Sequence, residues 1–141
     1  MTNSVVIKKK IKDFNKIITV TGDKSLSIRW VLFASLAKGV SRAKNLLMSE
    51  DVIASIDTIK KLGIKTEITK KDCKIYGKGV DGYNYKKNIK INAKNSGTLG
   101  RLILGFLINS PYKIKLFGDK SLSKRDFKRI SDPLSKFGAT F

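Results

Sequence analysis

The stretch TGDKSLSIR, residues 21–29, stands between a segment of alternating β-branched residues and a segment with helical periodicity. A nearly identical string, GDKSLSKR, recurs at 118–125. Each string offers a glycine and small hydroxyl residues where the first N–H groups of a helix are free, and each places an arginine a turn or more further on. The recurrence predicts an internal repeat with related helix starts.

The residues on either side of the first string predict a β-α-β-α-β-β unit. β-Branched residues alternate before the string, which favours a strand, and apolar residues after Leu26 recur at helical spacing up to Gly39, which closes the helix. Ser49 is the expected N-cap of a second helix, because acidic residues follow it and Gly63 stands at the end. The predicted elements are strands at 16–21 and 41–47, helices at 26–38 and 50–62, and strands at 64–69 and 72–77.

A turn-rich connection at 77–87 separates this unit from a second one. The elements predicted there are a strand at 88–93, a helix at 96–109, a strand at 112–118, a helix at 123–138 disturbed by Pro133, and the beginning of a strand at 139–141. Alignment by element places Arg29 over Arg101, an offset of 72 residues, which is typical of supersecondary repeats. The first GDKSLS string then opens the first helix of unit one, whereas the second opens the second helix of unit two.

This repeat sets the expected domain organisation. We expect residues 1–141 to form an incomplete α/β assembly of about two units, with unit one at 16–77, a linker at 78–87 and a partial unit two at 88–141. Unit two lacks its closing strands, and a sheet that stops there has an unpaired edge and an uncovered helix face. We therefore expect the chain to be the N-terminal part of a longer protein.

The composition excludes several kinds of site. The chain has no histidine and a single cysteine, Cys73, which excludes Ser–His and Cys–His catalysis, His-ligated metals, cysteine metal clusters and an internal disulfide. No apolar run is long enough to span a bilayer, and the first residues lack the apolar core of a secretory signal. We therefore expect a cytoplasmic protein without a membrane partner.

The net charge of +19 favours anionic partners, namely nucleic acid, acidic lipid or phosphorylated metabolites. One alternative is a basic, solvated surface with no specific partner, since the lysines are spread along the chain and form only short clusters at 7–12 and 68–74. A small nucleic-acid-binding protein is a second alternative. It rests on charge alone, because the sequence has no helix-turn-helix pattern, no aromatic stacking platform and no zinc pattern, so nucleic acid is not the expected partner.

Three predicted helix starts, TGDKSLSIR, AKNSGTLGR and GDKSLSKR, share the features of an anion site. Free N–H groups, the positive end of the helix dipole and a nearby arginine together suit a phosphate or carboxylate. Any one of them alone is better explained as a helix cap, but three in one repeat indicate a shared site. A nucleotide P-loop is excluded, because Asp23 and Ile18 occupy the positions of its two glycines.

Four linked segments resemble the 5-enolpyruvylshikimate-3-phosphate synthase family. They are GDKSLSIRWVLFASLAKG, SEDVIASIDTIKKLGI, NSGTLGRLILGFL and GDKSLSKRDFKRISDPLSKFGA, in the family's order and spacing from about residue 16 to the end. The related UDP-N-acetylglucosamine enolpyruvyl transferases share the fold but do not usually carry the D-K-S-x-S-x-R string. The resemblance implies the α/β enolpyruvyl transferase fold, in which each of two lobes contains three β-α-β-α-β-β units. This chain would supply nearly two units of one lobe.

The resemblance also implies a reaction. The enolpyruvyl group of phosphoenolpyruvate would move onto the 5-hydroxyl of shikimate 3-phosphate with release of phosphate, a step in the biosynthesis of chorismate and the aromatic amino acids. Neither a metal nor an organic cofactor is implied. The family's catalytic carboxylate lies in the second lobe of the same polypeptide, beyond residue 141, so this chain would carry no catalytic residue and would be inactive alone. A truncated or degenerate relative with only a structural role is the remaining alternative.

The same resemblance implies a set of binding residues. Lys24 would lie between the two substrates, and Ser25 and Arg29 would hold shikimate 3-phosphate. The residues implied for phosphoenolpyruvate are Lys24, Asn95, Gly97, Thr98 and Arg125, with Arg101 as electrostatic support. Two residues depart from the usual pattern. Asp126 stands where the family commonly has proline, and Gly100 lies inside a predicted helix, at a cost of about 1 kcal/mol relative to alanine.

Overall fold

Four helices and five short strands form the part of the chain that a computed structural model describes, namely residues 4, 6, 8–9, 15–69 and 72–141. The helices are α1 (Lys24–Leu36), α2 (Glu50–Lys61), α3 (Gly97–Phe106) and α4 (Lys128–Lys136). The strands are β1 (Lys38–Lys44), β2 (Lys65–Ile68), β3 (Asp72–Lys78), β4 (Lys90–Asn92) and β5 (Lys115–Phe117). A 3₁₀ turn, Leu122–Lys124, precedes α4. Most of the lysine cluster at 7–12, and residues 70 and 71 of the cluster at 68–74, lie outside the described residues.

The strands form two sheets. In the first, β3 lies between β1 and β2 and pairs antiparallel with both. In the second, β4 and β5 pair in parallel, with Ile91 opposite Leu116. A parallel pair needs a crossover connection, which here contains α3. Because parallel strands end at the same edge of their sheet, this topology brings the start of α3 close to the residues that follow β5.

One apolar core joins α1, α2 and α3 to both sheets. α1 packs against α2, and Ile28 and Ile59 from these helices are completely buried. Ile75 of β3 and Leu99 of α3 belong to the same cluster of buried side chains. Cys73 lies in it as well, and burial raises the pKa of its thiol. Cys73 is therefore a core residue, since a reactive cysteine needs a readily formed thiolate.

The two GDKSLS strings adopt the same local structure. The side chain of Asp23 accepts a hydrogen bond from Leu26 N at 2.7 Å, and that of Asp119 accepts one from Leu122 N at 2.7 Å. In each string the N–H of the second serine also donates to the carbonyl oxygen of the same aspartate, at 3.0 Å. The first turn continues as α1, whereas the second ends with the 3₁₀ turn. The string thus specifies an aspartate-capped turn, and the residues after it decide whether a helix continues.

The glycine of each string allows a close approach to a neighbouring loop. A Cβ on Gly22 would overlap the carbonyl oxygen of Asn45, and a Cβ on Gly118 would overlap that of Lys94. Asn45 and Lys94 both have positive φ, 56° and 52°, shortly after β1 and β4 respectively. Asp119 N also donates to Lys94 O at 2.9 Å. The second string is therefore attached to the loop that leads into α3.

Two predicted strands are absent. Residues 16–21 form no strand, and the side chains of Ile17 and Ile18 are 100% and 71% exposed. Residues 139–141 form no strand either. Alternating apolar residues favour an extended backbone, but a strand also needs a hydrogen-bonded neighbour. Among the described residues, no strand pairs with either segment.

The predicted helix at 123–138 is interrupted. Arg125 has extended backbone angles, φ −80° and ψ 139°, so only Lys128–Lys136 forms an α-helix. The first helix begins at Lys24, two residues before its predicted start, and Gly39 lies inside β1 with a φ of +97°. The other predicted elements are present, with ends shifted by at most three residues.

The half-buried phenol of Tyr83 connects the loop after β3 to α1. The Ser35 hydroxyl donates to Leu32 O at 2.6 Å and lies 2.7 Å from the Tyr83 oxygen. Because Ser35 has only one proton to donate, the phenol is the donor in the second bond. Burial raises the pKa of Tyr83 above its ordinary value of 10.0.

We expect Tyr83→Phe to lower the free energy of unfolding by about 1 kcal/mol at neutral pH, through loss of this hydrogen bond. A raised pKa means that the folded chain holds the phenol proton more tightly than the unfolded chain. The contribution of the Tyr83 phenol to the free energy of unfolding is therefore complete below about pH 10. It is lost as the pH rises through the pKa of Tyr83 in the folded chain. Urea unfolding of both proteins across this range measures the difference. A difference that stays constant into strong alkali contradicts the prediction.

Candidate anion-binding site

The start of α3 presents free backbone donors. Ser96 is the N-cap, and its buried hydroxyl accepts a hydrogen bond from Leu99 N at 3.2 Å. Among the described residues, no acceptor takes up the N–H groups of Gly97 and Thr98. These groups carry the positive end of the helix dipole, which attracts an anion.

Two guanidinium groups lie over this helix start. Arg125 donates to the side-chain oxygen of Asn95 at 2.8 Å, which fixes one guanidinium beside the turn. A Cβ built on Gly97 would lie 2.7 Å from Arg125 Nη1 and 3.0 Å from Arg101 Nη1. Only a residue without a side chain leaves room for both groups. Neither arginine forms an ion pair with a carboxylate within the described part of the chain. The two cations are thus available to a phosphate or carboxylate, which arginine binds bidentately.

Asp126, the acidic residue beside Arg125, does not neutralise the site. Its carboxylate accepts a hydrogen bond from Lys128 N at 2.7 Å, at the start of α4. An aspartate in this position stabilises the first turn of a helix, by accepting from a free N–H and by opposing the dipole. Asp126, which stands where the family resemblance implies a proline, is therefore compatible with an anion bound nearby.

Lys24, at the start of α1, forms an ion pair with Asp51, at the start of α2. The distance from Lys24 Nζ to Asp51 Oδ2 is 3.2 Å, and the side chains are 55% and 17% exposed. Exposed ion pairs contribute only about 0–1 kcal/mol to stability. Asp51 therefore orients the Lys24 ammonium but holds it weakly, so that the ammonium can also bind an anion. Ser25 is half-buried next to Lys24, and Arg29 is exposed one turn further on. Within the described residues, the side chain of Arg29 forms no hydrogen bond or ion pair.

The predicted site residues thus fall into two groups. The contacts of the structure bring one group together around the start of α3: Asn95, Gly97, Thr98, Arg101 and Arg125. The other group, Lys24, Ser25 and Arg29, lies on α1. No hydrogen bond or ion pair of the described residues joins the groups, but α1 packs against α3. There Phe33 and Phe106, each nine residues beyond the first residue of its helix, meet edge to face with 5.3 Å between ring centroids.

Sequence reasoning missed two residues at these helix starts. The sequence shows Asp51 only as an acidic residue in a first helical turn, and nothing in its spacing indicates Lys24 as its partner. Phe127 has its ring 5.7 Å from the guanidinium carbon of Arg101. Arg101 and Phe127 are far apart in the sequence, so no local pattern indicates this contact.

We expect Gly97→Ala to weaken anion binding without destabilising the fold. The new methyl group meets only the ends of two flexible side chains, and alanine favours a helix by about 1 kcal/mol over glycine. Moving the guanidinium groups away costs at least one charge-assisted hydrogen bond, so the affinity for inorganic phosphate should fall about tenfold. Calorimetric titration with phosphate and thermal unfolding measure the two effects.

Gly105→Ala is the matched control, because Gly105 lies in the same helix and a Cβ there meets nothing within 4 Å. It should gain the same helical stability and bind phosphate like the native chain. Equal phosphate affinities of the two alanine variants would contradict this account of the site.

Within the described residues, no helix is both long and apolar enough to cross a membrane. No group of three or more histidine, cysteine, aspartate or glutamate side chains in this part of the chain could hold a metal ion.

Comparisons with known proteins agree on one family. A model described as EPSP synthase (3-phosphoshikimate 1-carboxyvinyltransferase) matches residues 8–141. The 3-phosphoshikimate 1-carboxyvinyltransferase of Bacillus cytotoxicus is 41% identical over 128 residues, which make up 91% of this chain and 30% of that protein. The same enzyme of Streptococcus agalactiae is 43% identical over 122 residues, or 86% of this chain and 28% of that protein.

The structural comparison agrees with the sequence comparison. The solved structure of EPSP synthase from Acinetobacter baumannii superposes with a TM-score of 0.81 at 35% identity, covering 87% of this chain and 28% of that one. The expected α/β fold, as an incomplete lobe of that architecture, is thereby confirmed. The chain spans 28 to 30% of the length of the relatives described here.

Proposed function

The chain belongs to the EPSP synthase family, and we propose that it supplies the substrate half-site of a 3-phosphoshikimate 1-carboxyvinyltransferase. The reaction moves the enolpyruvyl group of phosphoenolpyruvate onto the 5-hydroxyl of shikimate 3-phosphate and releases phosphate. The observation that carries the proposal is the convergence of Arg101 and Arg125 over Gly97, at a helix start with free N–H groups. A small polyanion is the ligand that such an arrangement suits.

Phosphoenolpyruvate is assigned to the start of α3. The Arg125 guanidinium, oriented by Asn95, binds its phosphate or carboxylate group, and the N–H groups of Gly97 and Thr98 face the same anion. Arg101 adds a second positive charge. The absence of a Cβ at Gly97 lets the ligand approach the backbone as well as both arginines.

Shikimate 3-phosphate is assigned to the start of α1. Ser25 and Arg29 hold this substrate, and Lys24, oriented by Asp51, lies between the two substrates and meets both. The packing of α1 against α3 supports one shared site for the two helix starts. The contact between Phe33 and Phe106 is part of that packing. Each of these residues lies nine positions beyond the first residue of its helix.

The half-site acts by electrostatic compensation. Two polyanionic substrates repel each other, and cations and helix dipoles that are already in place offset this repulsion before the reaction begins. The catalytic carboxylate is assigned to a second lobe of the same polypeptide, with no metal or organic cofactor. We also propose that the chain contains repeat units at 16–77 and 88–141. Its proposed location is the cytoplasm.

NMR titration of the ¹⁵N-labelled chain, in buffer free of phosphate and sulfate, tests the assignment. Shikimate 3-phosphate should shift resonances of residues 24–29, and phosphoenolpyruvate those of 95–98. We expect Arg125→Ala to weaken phosphoenolpyruvate binding by at least about tenfold, because a charge-assisted bidentate contact is lost.

Arg129→Ala is the matched control, since Arg129 is an exposed arginine on α4 outside the proposed site. It removes the same charge and should leave the affinity unchanged. Equal losses in the two variants, or equal responses to a short oligonucleotide and to both substrates, would refute the proposal and favour a generic basic binder.

A further inference from the structure

Arg101 reaches the site in an unusual way. Its Nε atom is buried and has no hydrogen-bond partner within the described residues, and no carboxylate pairs with its guanidinium there. Arginines at binding sites are usually oriented by such bonds, as Arg125 is by Asn95. The position of Arg101 beside a second guanidinium is also opposed by repulsion between like charges. Some other contact must hold it.

The ring of Phe127 provides that contact. The guanidinium carbon of Arg101 lies 5.7 Å from the ring centroid, within the range of a cation–π interaction. The negative face of an aromatic ring attracts a cation without neutralising its charge. Phe127 can therefore hold the guanidinium while leaving its donors available to an anion, which a carboxylate would not do.

Gly100 creates the space for the ring. A Cβ on Gly100 would lie 3.2 and 3.3 Å from two atoms of the Phe127 ring, closer than ordinary van der Waals contact. This contact accounts for a glycine inside α3, where alanine would stabilise the helix. The backbone of Phe127 is fixed as well, because its carbonyl oxygen accepts from Ile130 N and Ser131 N in the first turn of α4.

We propose that Phe127 is a positioning residue, which holds the Arg101 guanidinium beside that of Arg125 over Gly97. The segment 125–127 then supplies one arginine directly and orients the second through its aromatic ring. This inference rests on the proposed function, since it assigns the second cation of the phosphoenolpyruvate site. It predicts that the aromatic character of residue 127, and not only its bulk, sets the affinity for that substrate.

The first test needs no ligand. The side-chain Nε–H resonance of Arg101 should show a ring-current shift in the native chain. Phe127→Leu should abolish this shift, whereas Phe127→Tyr should retain it. Backbone spectra of the variants report whether α4 still forms. An Arg101 resonance that is the same in the leucine and native chains overturns the inference, whatever the chain binds.

The second test measures phosphoenolpyruvate affinity. We expect Phe127→Leu to weaken binding about two- to fivefold, as loss of a half-buried cation–π contact would, and Phe127→Tyr to restore it. Gly100→Ala should weaken binding by moving the ring, whereas Gly105→Ala, in the same helix, should not. Native binding that Phe127→Leu leaves unchanged overturns the inference. A native chain that binds no phosphoenolpyruvate refutes the proposed half-site, and the resonance of Arg101 then decides the positioning role by itself.

Discussion

Two guanidinium groups lie over a residue without a Cβ at the positive end of a helix, and the rest of the site depends on this concentration of like charge. Such an arrangement is unfavourable unless an anion compensates it. Several neighbouring features keep it in place. Asn95 orients Arg125, the Ser96 hydroxyl caps α3, and the carboxylate of Asp126 is engaged by the backbone of α4. The cations therefore remain unpaired within the described residues, which preorganises the site for an anionic ligand.

The repeated GDKSLS string has two different roles in the fold. At the start of α1 it begins a long helix and presents Lys24 towards Asp51. After β5 it forms a single capped turn, which is attached to the loop before α3 and leads to the extended Arg125. One local structure, an aspartate cap behind a closely approached glycine, thus serves once to start a helix and once to deliver a side chain. The alignment of the two units predicted that the two strings have different roles, because it placed them at different helices of their units.

Much of the fold and of the site could be predicted from short-range signals. Helical periodicity located α1 and α2, because this pattern reflects burial against a nearby core. The motif NSGT indicated Asn95 and Gly97 from the family resemblance. Properties that depend on distant partners could not be predicted. Residues 16–21 have the pattern of a strand but no strand of the described residues to pair with, and the contact of Phe127 with Arg101 depends on a glycine 27 positions earlier in the chain.

The most direct test of the central claim is a crystal structure of the chain with phosphoenolpyruvate, grown without sulfate or phosphate. We predict an anionic group of the ligand over Gly97, with atoms of both Arg101 and Arg125 within hydrogen-bond distance, about 2.7–3.2 Å, and the first N–H groups of α3 facing it. Ligand density elsewhere on the basic surface would contradict the account. So would guanidinium groups that have moved apart around an empty helix start.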